Sequence, residues 1–177
     1  MRLTLAPIAA LAATLIVAGC ASKPAPPRPA PKPVVMPQPA PTSPIAQGAD
    51  WRDWAVTRGD WVYRVDARGS VAVFGAGGGD ALLTLRCDRM AGMVSVSRAG
   101  AVAAPLTLRT SSLARTVTVQ STGATPAYVA AQLTPRDPLL DAMAFSRGRF
   151  IVEQPGATTL VVPAWAEVGR VIEDCRR

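Results

Sequence analysis

The sequence predicts a mainly β domain, an antiparallel β-sandwich or partly open barrel, with one short helix near residues 138–147 and a C-terminal helix. Three observations lead there. From Trp61 onward, short stretches alternate apolar and polar side chains, the period of two that turns one strand face toward a core. Turns containing Gly or Pro separate these stretches at the spacing expected of sandwiches and barrels. Two stretches alone, one after Asp137 and one from about Ala164, repeat apolar residues at steps of three and four.

The globular part should begin near Asp50, which leaves enough chain through residue 177 for one core and too little for two. Trp61–Val65 alternates as a strand, Ala67-Arg68-Gly69 turns the chain, and Ser70–Phe74 forms the return strand. Gly75-Ala76-Gly77-Gly78-Gly79-Asp80 has Asp where a dinucleotide fingerprint needs its last glycine, and no helical pattern follows, so it reads as a hairpin loop. In Ala81–Cys87, Leu83, Leu85 and Cys87 share one face and Thr84 and Arg86 the other, which aims Cys87 at the core. Val94 and Val96 alternate with Ser95 and Ser97, and further strands are expected at Leu106–Thr110 and Thr116–Gln120. Tyr128–Leu133 fits strand or helix and is taken as strand.

Asp137-Pro138 has the form of a helix start, an acidic cap with proline at the first helical position. Leu139, Leu140, Met143 and Ala144 supply the apolar stripe, and Gly148 can end the helix. Arg149–Glu153 and Thr158–Val162 should pair as a hairpin around Pro155-Gly156. In the last helix Trp165, Val168, Val171, Ile172 and Cys175 fall on one face, which brings Cys175 to the buried side.

The N-terminal residues have a different character. After Arg2, an apolar run extends to Ala18, too short and Ala-rich for a spanning helix of about 20 residues. It has the form of a secretory signal. Its exit, Val17-Ala18-Gly19-Cys20, resembles the lipobox of bacterial lipoproteins. The resemblance implies a signal peptide over residues 1–19, acylation of Cys20, and a lipidated tether over residues 20–49. With Ala21-Ser22 rather than Asp after the cysteine, it also implies the outer membrane, at its periplasmic face. Several acyl chains are needed because a single one holds only marginally, at about 0.8 kcal/mol per buried CH₂. From Pro24 to Pro44, ten of 21 residues are proline, which can join neither a helix interior nor a central strand. An extended spacer of about 3.1 Å per residue is the expectation.

The chain contains three cysteines and no histidine. With Cys20 given to lipid by the resemblance, Cys87 and Cys175 remain, and an oxidising compartment favours a disulfide between them. A redox or metal pair is the alternative, but no Cys-x-x-Cys spacing accompanies it. Without histidine, the Ser-His-Asp and Cys-His sets and the usual zinc ligands are excluded, and no cofactor is expected. Residues 50–177 carry 15 Arg against 12 acids, mixed along the chain, with no basic block of the kind nucleic-acid binders show.

Arg136–Phe150 and Arg170–Arg176, with Trp61-Val62-Tyr63-Arg64 and Leu85-Arg86-Cys87-Asp88, resemble a group of uncharacterised alphaproteobacterial lipoproteins. More loosely, a strand cysteine paired with one at the C-terminal helix is similar to invasion-associated locus B proteins, which implies an exported β-sandwich. Neither resemblance carries a catalytic residue.

Two groups are candidates for a binding surface. Trp51, Trp54 and Trp61 are interleaved with Asp50, Asp53 and Asp60, as in a sugar site, although packed rings with solvated acids between them give the same pattern. Arg147 and Arg149 could hold an anion between two guanidinium groups, or simply decorate a helix end. The expected role is a non-catalytic, tethered binding or structural module of the cell envelope. Its partners would be the bilayer, through acylated Cys20, and a cell-wall polymer or envelope protein. A carboxylate-based envelope hydrolase is the alternative, recognisable by two facing carboxylates about 5–10 Å apart in a cleft. An inhibitor of such a hydrolase is the third.

Overall fold

The computed structural model describes residues 50–177. The leader, Cys20 and the proline-rich stretch lie outside the described residues.

Two antiparallel sheets face each other as an open β-sandwich. Ten strands contribute: β1 (Asp60–Asp66), β2 (Gly69–Gly75), β3 (Leu83–Asp88), β4 (Met93–Ala99), β5 (Leu106–Arg109), β6 (Ala114–Val117), β7 (Gln120–Ser121), β8 (Tyr128–Leu133), β9 (Arg149–Glu153) and β10 (Leu160–Pro163). One sheet has the order β1-β2-β3-β4-β8-β7 and the other β10-β9-β5-β6, and neither closes into a barrel. Helices α1 (Pro138–Ala144) and α2 (Ala166–Asp174) complete the domain, after a single 3-10 turn at Trp51–Asp53.

Alternation decides what each strand buries. The register sets Trp61 opposite Phe74 and then Leu83, and Ala72 opposite Leu85, Val96 and then Ala131, so two rows of apolar side chains run across the inner face. Leu106 and Leu108 on β5, with Phe150 and Val152 on β9, answer from the other sheet, and all four are fully buried. Each such side chain contributes about 1.5–3 kcal/mol relative to exposure. The β1–β2 hairpin depends on Gly69, whose φ is +145° and where a Cβ would lie 2.5 Å from the Cys87 carbonyl oxygen. Val168, Val171 and Ile172 seat α2 on the same core, against β1, β2 and β3.

Two features differ from the sequence expectation, and a third was not anticipated by it. Thr116–Gln120 is not one strand: the chain leaves the smaller sheet after Val117, turns Val119 inward, and enters the larger sheet at Gln120. Trp165 is not on the buried face of the last helix; it is the N-cap residue, with extended backbone, and is 46% exposed. Arg98 continues the inward row of Val94 and Val96, and is only 4% exposed. Its guanidinium crosses the sandwich to donate to the carbonyl oxygens of Val152, at 3.1 Å, and Thr158. Backbone carbonyls of the smaller sheet and its hairpin thus solvate a charge that has no carboxylate partner among the described residues.

Candidate functional site

The short helix α1 and the turn between β5 and β6 build a groove that exposes a large aromatic ring. Asp137 starts the helix as the sequence requires: its carboxylate accepts from the Leu139 amide at 2.8 Å, and Pro138 follows it. Leu139, Leu140 and Met143 point into the core. The opposite side of the helix presents Pro138, Asp141, Ala142 and Phe145, at the steps of three and four that mark one helical face. Ser112 and Leu113 form the facing wall, and the space between measures about 410 Å³. Phe145, the C-cap residue, is 79% exposed. Gly148, at φ +76°, lets the chain leave the helix and enter β9.

Hydrogen bonds hold the two walls together. The Ser111 amide donates to the Ser146 hydroxyl at 3.0 Å, and the Arg147 amide donates back to the Ser111 hydroxyl at 3.1 Å. Thr110 closes its own turn, its hydroxyl accepting from the Leu113 amide at 2.9 Å. Arg115, from β6, places one guanidinium nitrogen 2.7 and 2.8 Å from the two carboxylate oxygens of Asp137. Arg176 reaches Asp141 at 2.8 Å and the Pro135 carbonyl at 2.9 Å. Burial works against the charge on Asp137, but the Arg115 guanidinium and the Leu139 amide outweigh it and hold its carboxyl below the usual carboxylate range. The groove is therefore preformed.

A second cluster lies where α2 meets the larger sheet. The Tyr63 hydroxyl donates to the Asp174 carboxylate at 2.6 Å, and the Arg170 guanidinium stacks 4.2 Å from the Tyr63 ring centre. Ser70 Oγ is close enough to help hold Asp174 charged, yet its geometry falls short of a hydrogen bond. Beside them the Cys87 and Cys175 sulfurs sit 2.20 Å apart, at disulfide distance, with Cα atoms 5.3 Å apart. Cys87 is fully buried on β3, as the alternation predicts.

The sequence candidates do not assemble into one surface. Trp61 is a core residue, 6% exposed, with its indole N–H on the Pro163 carbonyl at 2.8 Å and its ring 5.4 Å from Phe74, so it is withdrawn from any binding surface. Trp51 lies in the 3-10 turn under the Arg52 guanidinium, at 4.8 Å. The Trp54 carbonyl accepts from Arg149. That bond spends the Arg149 guanidinium on fixing the N-terminal segment to β9, so Arg147 and Arg149 form no two-armed anion clamp. Arg147 itself is exposed. Phe145 and Leu113 were not among the sequence candidates. The signal for Phe145 is its position two residues past Met143, off the buried stripe of α1.

Eight acidic side chains, Asp50, Asp66, Asp88, Asp137, Asp141, Glu153, Glu173 and Asp174, each have an arginine nitrogen within 3.9 Å. Asp137 and Asp141, four residues apart on α1, are drawn to different arginines instead of toward each other. Among the described residues no three Cys, Asp or Glu side chains gather as metal ligands. Compared with known proteins, the chain matches no family model, no curated protein and no solved structure.

Proposed function

We propose that this chain is a membrane-anchored periplasmic lipoprotein of the outer membrane, carrying a non-catalytic binding module on a proline-rich tether. The anchoring rests on Val17-Ala18-Gly19-Cys20 behind its apolar run. The binding role rests on one observation above others: a preformed groove of about 410 Å³ with Phe145 standing 79% exposed at its rim. Large exposed aromatics beside a concavity favour a partner. At this groove Asp137 and Asp141 are each occupied by an arginine, which favours this reading of the site over a glycan hydrolase, which needs a free acid and a free base facing each other. The bilayer is the first partner and a component of the cell envelope the second.

A clickable palmitate analogue fed to cells expressing the chain tests the anchor. Label should enter the wild type and remain with membranes on fractionation. Cys20→Ala should lose the label and move to the soluble fraction. Cys20→Ala protein that stays labelled and membrane-bound would overturn the reading.

A further inference from the structure

Charge around the α1 groove says which kind of partner it takes. Asp141, the one carboxylate in its wall, is paired with Arg176, which it shares with Glu173, and Asp137 at the helix start is paired with Arg115. Arg136 and Arg147, just outside the two ends of the helix, are both exposed and make no ion pair among the described residues. The groove thus offers Pro138, Ala142, Leu113 and Phe145 as apolar surface, broken by Asp141 and Ser112, with an exposed arginine beyond each end of the helix. A helix of this length spans about 10 Å, which is the reach of about three residues of extended peptide.

Resting on the reading of the domain as a binding module, we infer that this groove docks an acidic peptide segment of a protein partner. An apolar side chain packs against Phe145 and Leu113, while carboxylates on either side meet Arg136 and Arg147. A bilayer surface fits less well. Burying Phe145 in lipid would carry the Asp141–Arg176 pair and the Ser112 hydroxyl toward hydrocarbon, a costly transfer. An extended peptide leaves that pair at the water-facing rim.

Fluorescence anisotropy on the full chain tests this with three labelled peptides: leucine between two pairs of glutamates, leucine between two pairs of lysines, and serine between two pairs of glutamates. Co-sedimentation with phosphatidylglycerol vesicles is the fourth arm. The glutamate–leucine peptide should bind about tenfold or more tighter than either control, and Phe145→Ala should weaken it about tenfold. Replacing both Arg136 and Arg147 by Ser should weaken it too and flatten its salt dependence. All three side chains are exposed, so an unchanged Tm verifies that each variant is folded. Equal binding of the peptides, no anisotropy change with any of them, or vesicle binding that depends on Phe145 would overturn the inference. Preference for the lysine peptide would overturn the acidic partner while leaving the binding module standing, and the fate of Cys20→Ala bears on the anchor alone.

Discussion

Asp174 is 7% exposed, and burial opposes its charge. The Tyr63 hydroxyl and the nearby Arg177 and Arg89 guanidinium groups outweigh that penalty and hold its carboxyl below the usual range. A carboxyl whose folded pKa is depressed stabilises the fold fully above its unfolded value, and that contribution is lost as pH falls through the folded value. Asp174→Asn should therefore cost about 1.5–3 kcal/mol at neutral pH, the range for a hydrogen bond to a charged group. The gap between wild type and variant should close as pH drops below about 4. Denaturant titrations at several pH values measure it; a gap that stays constant into strong acid would contradict the assignment. Little at this scale was readable beforehand. Alternation placed Cys87 in the core, but nothing local marks Arg98 as a buried charge, because its partners are carbonyls far along the chain. The same holds for Trp61 and Arg149, whose roles are set by Pro163 and Trp54.

Among the elements, α1 starts where its sequence says, because that start is decided within a few residues, although it ends at Ala144, short of residue 147. Asp137 caps the helix and binds Arg115 at once. Asp137→Ala should destabilise the domain by about 1–2 kcal/mol, near the upper part of the range for a lost cap. Asp137→Asn keeps an acceptor for the Leu139 amide and loses only the charge toward Arg115, so it should cost less. Chemical denaturation of the two variants separates cap from ion pair, and equal losses would show that the cap contributes nothing. Where the next element depends on tertiary context, sequence reasoning fell short. Thr116–Gln120 has the alternation of one strand, yet its two ends belong to different sheets. Trp165 fits the stripe of α2 by spacing alone, but the helix begins only after it.

For the molecule as a whole, the sandwich was legible because period-two patterning and turn residues are repeated in nearly every strand. Strand order was not, since nothing in the chain announces that β5, β6, β9 and β10 would separate into their own sheet. The pair of Cys87 and Cys175 ties β3 to the end of α2 across a sequence separation of 88 residues. In the chain-entropy account a loop of that size contributes about 4–5 kcal/mol. The acylation proposed for Cys20 and a disulfide between Cys87 and Cys175 would both belong outside the cytoplasm. Intact-mass analysis of the mature protein, alkylated under denaturing conditions without reductant, tests both together. The prediction is a chain beginning at Cys20, heavier by its acyl groups, with no alkylation at Cys87 or Cys175. A bare Cys20, or alkylated Cys87 and Cys175, would contradict it.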